Sequence, residues 1–157
     1  MEIATPPDAL VLLVGPSGAG KTTYAAAHFA RTEVVSSDEC RALVSDDETN
    51  MDATLAAFRV LHTIVRERLR RGRRTVVDAT NVRADKRARL LKLARARGRP
   101  AIAIVFELAE ATYLERNRTR RDRSIPEHAV VAQIEDMRRT LAVIDGEGFD
   151  EVHRVTA

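Results

Sequence analysis

The segment GPSGAGKT at residues 15–22 combines glycines, a lysine and a hydroxyl at the spacing of a phosphate-binding loop. It fits the pattern G-x-x-x-x-G-K-[ST], and it lies between an apolar run typical of a strand and a helical pattern. Glycines let backbone N–H groups turn toward phosphate oxygens, and the helix N-terminus adds roughly half a positive charge. Lys21 can reach the β- and γ-phosphates, and Thr22 can ligate Mg²⁺. The sequence therefore predicts that ATP or another nucleoside triphosphate binds with Mg²⁺, at Gly15, Ser17, Gly18, Ala19, Gly20, Lys21, Thr22 and Thr23.

The remaining motifs limit where the γ-phosphate can go. A GTPase switch needs D-x-x-G after the third strand and N-K-x-D for guanine, but D-x-x-G occurs only at 145–148 and N-K-x-D is missing. Motor-type ATPases usually follow the strand-end Asp with a Glu that polarises water, whereas Ala79 follows Asp78 here. The dinucleotide fingerprint G-x-G-x-x-G is also missing. Transfer to an acceptor hydroxyl remains, and it requires a base, a clamp for the acceptor and positive charge over the leaving group.

The stretch VVSSDECR offers a base and a clamp. Asp38 follows the second apolar run, and a carboxylate there can accept the proton of an attacking hydroxyl. Arg41 would face the same way one helical turn later, and its planar fork suits a phosphate that the acceptor already carries. The structural alternative is that Asp38 caps a short helix and that Arg41 pairs with Asp38 or Asp46. The spacing alone leaves both interpretations open.

Three arginines, Arg116, Arg120 and Arg123, recur at i, i+4 and i+7. On one helix they would lie within an arc of roughly 60°, because successive residues are about 100° apart. Such a helical lid could close over the triphosphate and neutralise charge on the transferring group, or the arginines could simply form a solvated face. Asp78 could bind Mg²⁺ through water or cap the next segment. The basic run RERLRRGRR at 66–74 is best interpreted as favourable charge at a helix C-terminus.

Apolar runs and amphipathic patterns alternate along the chain. Strands are predicted at 10–14, 33–37, 75–79, 101–108 and 151–155, and helices at about 21–29, 38–43, 51–71, 84–97 and 110–121. The segment SIPE at 124–127 has capping-box spacing and opens a last helix that continues to about 144. The long third helix should bury Leu55, Phe58, Leu61, Val65 and Leu69. Buried strands alternating with helices predict an α/β fold, in which a parallel sheet of about five strands has helices on both faces. Ligands bind such sheets at the carboxyl ends of the strands, where Asp38, Asp78 and the phosphate-binding loop should meet.

Length and composition fit one globular domain spanning residues 1–157. The chain is 45% hydrophobic, which argues against disorder, and its net charge of +3 is too small to prove a nucleic-acid partner. No apolar run approaches the ~18 residues that a membrane span needs, and the N-terminus lacks the features of a signal peptide. We therefore expect a cytoplasmic protein with no membrane partner.

Taken together, GPSGAGKTT, EVVSSDECRALVSDDE, TVVDATNV and ERNRTRRDR resemble the 5′-hydroxyl polynucleotide kinase module of the bacterial polynucleotide kinase-phosphatase end-healing family. The resemblance covers nearly the whole chain. It implies a P-loop phosphotransferase fold with an Arg-bearing lid, and places the Walker residues at Lys21 and Thr22. It also implies a general base at Asp38, an acceptor-phosphate ligand at Arg41 and lid arginines at Arg116, Arg120 and Arg123. In that family a phosphatase and a ligase-like domain follow the kinase, so the chain is expected to be one module of a longer enzyme.

The sequence thus predicts a kinase that uses ATP and Mg²⁺ to phosphorylate the 5′-OH ends of RNA or DNA for repair. Two alternatives remain open at this point. One is a small-metabolite or antibiotic kinase on the same scaffold, as in the zeta-toxin-like group. The other is a nucleotide-gated module that senses broken ends without catalysis.

Overall fold

The computed structural model describes residues 2–120 and 125–156. In these residues five strands alternate with six α-helices and three short 3₁₀ helices. The strands are β1 Leu10–Val14, β2 Val34–Ser36, β3 Thr75–Asp78, β4 Ala101–Phe106 and β5 Glu151–Val155. The α-helices are α1 Lys21–His28, α2 Ser37–Ser45, α3 Thr54–Arg70, α4 Ala84–Ala96, α5 Glu110–Thr119 and α6 Glu127–Val143. The 3₁₀ helices are Arg31–Glu33, Met51–Ala53 and Ile144–Gly146.

All five strands form one sheet in the order β2-β3-β1-β4-β5, and every neighbouring pair is parallel. The central strand β1 is fully buried along its length, as expected for a strand covered on both faces. The predicted α/β architecture with a five-stranded parallel sheet is confirmed. Because the strands are parallel, the segments that follow β1, β2 and β3 leave the sheet at the same edge. We call this edge the carboxyl rim.

Helices cover both faces of the sheet, so the predicted layering is also confirmed. Alternate residues of β1 point to opposite sides: Leu10 and Leu12 belong to the core shared with α3 and α4. Val11 and Leu13 belong to the core shared with α1 and α5. None of the helices within the described residues is long and apolar enough to cross a membrane.

Two sequence predictions are wrong in detail. Helix α5 ends at Thr119 rather than Arg121, and Arg120 has an extended backbone, so the arginines predicted on one helical face do not continue along a single helix. Leu55, predicted to be in the core, is 65% exposed, and Ala57 takes the buried position on α3 instead. The burying face of α3 therefore starts two residues later than its first apolar residue.

A buried arginine on α4 connects this helix to the segment that follows the last 3₁₀ helix. Arg87 is 1% exposed, and its guanidinium donates two hydrogen bonds to the Glu147 carboxylate, at 2.7 and 2.8 Å. It also donates to the Asn81 carbonyl and the Thr140 hydroxyl. Burying a charge without such partners would cost several kcal/mol. The cluster therefore fixes α6 and the following 3₁₀ helix against the loop after β3.

We expect Arg87→Met to lower the free energy of unfolding by about 3 kcal/mol, because it leaves the Glu147 carboxylate and the other hydrogen-bond acceptors of the cluster without their donor. Urea denaturation measures this loss. The matched control is Arg83→Met, which removes an exposed pair with Asp85 and should cost less than about 0.5 kcal/mol. Equal losses in the two variants would contradict the role of the cluster.

Candidate active site

The phosphate-binding loop leaves the end of β1 and opens directly into α1. Gly18 and Gly20 have φ angles of 86° and 95°, in the left-handed region that residues with a Cβ rarely adopt. Gly20 is the N-cap of α1, and no side chain caps the helix. The N-terminal N–H groups of α1 therefore have no side-chain acceptor at the cap, which is the local arrangement that favours an anion.

Lys21 and Thr22, the first residues of α1, contact the loop and the neighbouring strand. The Lys21 ammonium donates hydrogen bonds to the carbonyls of Gly15 and Pro16, at 2.8 and 3.0 Å. The Thr22 hydroxyl donates to the Asp78 carboxylate at 2.7 Å. This bond links α1 to the end of β3. Of the other predicted loop residues, Ala19 is buried and Thr23 is exposed.

Asp78 is the buried carboxylate at the carboxyl rim, with 6% of its surface exposed. Burial raises its pKa, and the Thr22 hydrogen bond and the Lys21 charge oppose that rise. Asp38 adds to the rise and Arg120 opposes it, so both charges are near enough to act on Asp78. The structure thus brings together Lys21, Asp38, Asp78 and Arg120, which come from four different segments of the chain.

Asp38 lies in the first turn of α2, directly after β2. Its carboxylate accepts a hydrogen bond from Arg41 at 2.7 Å, and the side chains of Asp38 and Arg41 are 32% and 6% exposed. The Arg41 Nε also donates to the Thr54 hydroxyl at 3.3 Å. Ser36, not Asp38, caps α2 by accepting from the Glu39 N–H. Of the structural alternatives left open by the sequence, the ion pair with Asp38 is present and the cap by Asp38 is wrong.

The predicted lid residues lie beside the loop as far as they are described. Arg116 donates to the Gly18 carbonyl at 3.3 Å, and Arg120 donates to the Ser17 hydroxyl at 3.2 Å. Arg123 lies outside the described residues. The segment that contains Arg116 and Arg120 therefore contacts the phosphate-binding loop directly.

Sequence reasoning missed two amides that hold this loop. Asn117 is 7% exposed and donates to the Ser17 carbonyl at 2.6 Å, while its own oxygen accepts from the Ser17 hydroxyl. The Gln133 side chain on α6 accepts a hydrogen bond from the Ser17 N–H at 2.9 Å. A Cβ on Gly18 would lie 2.8 Å from the Asn117 Nδ2, so this close approach also requires glycine. An amide between two arginines of ERNRTRRDR was the available signal for Asn117; the sequence offered none for Gln133.

A site of this composition suits Mg²⁺ on chemical grounds. A hydroxyl and a carboxylate oxygen, the ligand types that Mg²⁺ prefers, lie 2.7 Å apart at Thr22 and Asp78 beside the loop. Mg²⁺ usually retains several of its water ligands, so coordination by the Thr22 hydroxyl and a water-mediated contact with Asp78 would suit it.

The family model described as AAA domain, AAA_33, matches residues 10–144. No curated protein sequence matches the chain at a significant level. Among solved structures, the chain is similar to a chain of the Pnkp1/Rnl/Hen1 RNA repair complex, with 22% identity and a TM-score of 0.73, covering 88% of this chain and 47% of that one.

Two further similar structures belong to proteins named for other functions. A gluconokinase from Sinorhizobium meliloti 1021 is 16% identical with a TM-score of 0.60, covering 97% of this chain and 84% of that one. A chain of the PezAT toxin-antitoxin system of Streptococcus pneumoniae is 16% identical with a TM-score of 0.67, covering 99% and 69%. At these identities the likeness shows the fold alone. The family match identifies it as a P-loop kinase fold, which binds a nucleotide such as ATP.

We expect Asn117→Ala to weaken ATP binding about tenfold, because the Ser17 segment of the loop loses its side-chain support. Isothermal titration with ATP measures the change. Thr119→Ala, which removes a hydroxyl bonded only within its own helix, is the matched control and should bind ATP normally. An unchanged ATP affinity in the Asn117 variant would show that the loop holds its shape without this amide.

We expect Asp78→Asn to stabilise the ligand-free protein at about pH 7. The raised pKa means that the folded state disfavours the charged form, so this carboxyl lowers stability as pH rises from the unfolded value of about 3.9 through the raised folded value. The gain from Asn should therefore grow as pH rises above about 3.9 and level off above the raised folded pKa, as measured by urea denaturation. Asp47→Asn is the control of opposite sign, because the Thr49 hydroxyl lowers the Asp47 pKa. A gain at Asp78 that did not depend on pH would contradict the burial account.

Proposed function

The chain belongs to the AAA_33 family of AAA domains, and on that basis we propose that it transfers the γ-phosphate of ATP to the 5′-OH end of RNA or DNA. The observation that carries this proposal is the Asp38–Arg41 pair at the carboxyl rim, next to the phosphate-binding loop. A carboxylate beside a phosphate-binding cation supplies a base, and a buried guanidinium supplies a clamp for an acceptor that is itself an anion.

The proposed reaction uses Asp38 as the general base. Its carboxylate takes the proton of the 5′-OH, and the resulting oxygen forms a bond with the γ-phosphorus while the bond from that phosphorus to the β,γ-bridging oxygen breaks. ADP leaves with the bridging oxygen. Arg116 and Arg120 lie on the loop side of the site, where positive charge would stabilise the transferring group. Arg123 is proposed for the same role from the resemblance alone.

Lys21 and the loop amides are proposed to bind the donor. Lys21 would exchange its bonds to the Gly15 and Pro16 carbonyls for the β- and γ-phosphate oxygens. Thr22 would hold Mg²⁺ directly and Asp78 would do so through water. When bound, Mg²⁺ neutralises charge on the β- and γ-phosphates.

The ion pair between Arg41 and Asp38 would have to change when the acceptor binds. In the structure the Arg41 guanidinium donates a hydrogen bond to the Asp38 carboxylate. The side chain proposed to bind the acceptor is therefore paired with the side chain proposed to act as the base. A phosphate on the 3′ side of the terminal nucleotide offers Arg41 a competing anion with bidentate geometry. Binding of that phosphate would draw Arg41 toward the acceptor and leave Asp38 better able to accept the hydroxyl proton.

The biological setting is also a proposal. The chain resembles part of an RNA repair complex, and it spans about half of that chain's length. We propose that it heals ends for nucleic-acid repair in the cytoplasm, as one kinase module in a protein that also carries phosphatase and ligase-like domains. The rival function is a kinase for a small hydroxylated anion, which the likeness to a gluconokinase supports. In that case Arg41 would hold a carboxylate or phosphate of the metabolite.

Label transfer from γ-labelled ATP separates these functions. The acceptors are a 5′-OH oligonucleotide, a nucleoside 3′-phosphate, a nucleoside without phosphate, and gluconate. We expect label on the first two, less on the nucleoside, and none on gluconate. Label on gluconate alone would favour the metabolite kinase, and oligonucleotide binding without transfer would favour an end sensor.

We expect Asp38→Asn to lower kcat for the oligonucleotide by ~10²-fold or more, the usual scale for a lost general base, while ATP affinity is retained. The matched control is Glu39→Gln on the same turn of α2, an exposed carboxylate that should be dispensable. Rapid-quench measurement of transfer gives kcat directly. Near-normal turnover in the Asn variant would remove Asp38 from the mechanism.

A further inference from the structure

A group of cations lies where α3 and α4 pack together, outside the site described above. Burial lowers the pKa of His62 on α3, and the charges of Arg89, Lys86 and Arg66 lower it further. Arg66 and Arg89 are exposed, and Lys86 is half-buried with its ammonium 5.4 Å from the centre of the Phe58 ring. These residues, Phe58, His62, Arg66, Lys86 and Arg89, are called the α3–α4 basic patch.

The cations of the patch are only weakly compensated by neighbouring carboxylates. Within residues 2–120 and 125–156, no carboxylate lies within ion-pair distance of Arg66, Lys86 or Arg89. The adjacent acidic residues form their ion pairs elsewhere, since Glu67 pairs with Arg70 and Asp85 pairs with Arg83. Glu67 lies near enough to Arg66 for a charge interaction but forms no ion pair with it. Three cations on the packed helices α3 and α4, without ion pairs of their own, form a surface of positive charge that favours an anionic partner.

The patch begins beside the acceptor clamp. Thr54, the first residue of α3, accepts a hydrogen bond from Arg41. Phe58, His62 and Arg66 follow it at intervals of four residues, in a row that winds around the helix by about 40° per step. Both α3 and α4 start near the carboxyl rim, because each lies between the end of one strand and the start of β3 or β4 at the opposite edge. From Thr54 to Arg66 the helix extends about 18 Å.

We propose that the α3–α4 basic patch binds the phosphates of the acceptor strand beyond its terminal nucleotide. This inference rests on the proposed function, because it takes Arg41 as the ligand of the terminal phosphate. A strand held there and continuing along α3 would place successive phosphates over Lys86, Arg89 and Arg66. A distance of about 18 Å accommodates several nucleotides, whose rise is about 3.4 Å each even in a duplex.

Contacts of this kind position a strand without reading its sequence. The enzyme should therefore prefer oligonucleotides to a nucleoside 3′-phosphate through KM, whatever the bases. The preference should fall with salt, because each phosphate that a cation neutralises releases counterions.

The test compares two triple variants that remove the same charge. Arg66→Ala/Lys86→Ala/Arg89→Ala removes the cations of the patch, and Arg31→Ala/Arg138→Ala/Arg139→Ala, the control variant, removes three exposed cations from the first 3₁₀ helix and α6. Fluorescence anisotropy measures binding of a labelled 5′-OH ten-nucleotide strand without ATP. Label transfer measures kcat and KM for that strand and for a nucleoside 3′-phosphate.

For the patch variant we expect a Kd and a KM for the ten-nucleotide strand raised about tenfold or more. Its kcat, and its KM for the nucleoside 3′-phosphate, should match those of the unmodified chain. The slope of log affinity against log salt should flatten by about 2, since single strands lose roughly 0.7 per phosphate contact. The control variant should bind and react as the unmodified chain does.

Equal losses of strand affinity in the two triple variants would contradict the proposed binding surface, because they would show only a general effect of charge. Unchanged binding in the patch variant, or no strand binding by the unmodified chain, would also overturn it. The patch and the proposed function can fail separately. Strand binding lost only in the patch variant, without label transfer by the unmodified chain, would support the surface and contradict the kinase activity.

Discussion

The proposed active site depends on charged side chains that meet at the carboxyl rim, where Lys21 and Asp78 are buried. Asp78 is almost fully buried, and a carboxylate in that position is tolerated because the Thr22 hydroxyl and the Lys21 charge oppose its desolvation. Parallel strands make this convergence possible, since β1, β2 and β3 deliver Lys21, Asp38 and Asp78 to one edge of the sheet. The site is therefore a property of the topology, and no single segment of the chain contains it.

The second half of the chain determines the shape of the phosphate-binding loop. Glycines at 18 and 20 allow its left-handed turns, but side chains of α5 and α6 fix it, through Asn117 and Gln133 on Ser17. Arg116 and Arg120 contact the same loop. A movement of α5 would therefore displace the phosphate-binding loop, because Arg116, Asn117 and Arg120 all contact it.

The sequence was sufficient for the parts governed by local patterns. The Walker residues, the five strands and the shared rim follow from glycine spacing, apolar runs and the parallel connection. It failed where tertiary contacts decide. The helical periodicity of the arginines continued past Thr119, but the backbone turns out of the helix at Arg120. Asn117, Gln133 and the buried Arg87 carry long-range hydrogen bonds that polar residues on a helix do not reveal, and Arg87 was hidden among many surface arginines.

The proposed chemistry requires Arg41 to leave Asp38 when the acceptor arrives. A crystal structure with a non-hydrolysable ATP analogue, Mg²⁺ and a 5′-OH dinucleotide would test this most directly. The account predicts the 5′ oxygen within about 2.6–3.2 Å of the Asp38 carboxylate and the Arg41 guanidinium on the dinucleotide phosphate. A complex in which Arg41 still binds Asp38, with the 5′ oxygen bound away from that carboxylate, would contradict it.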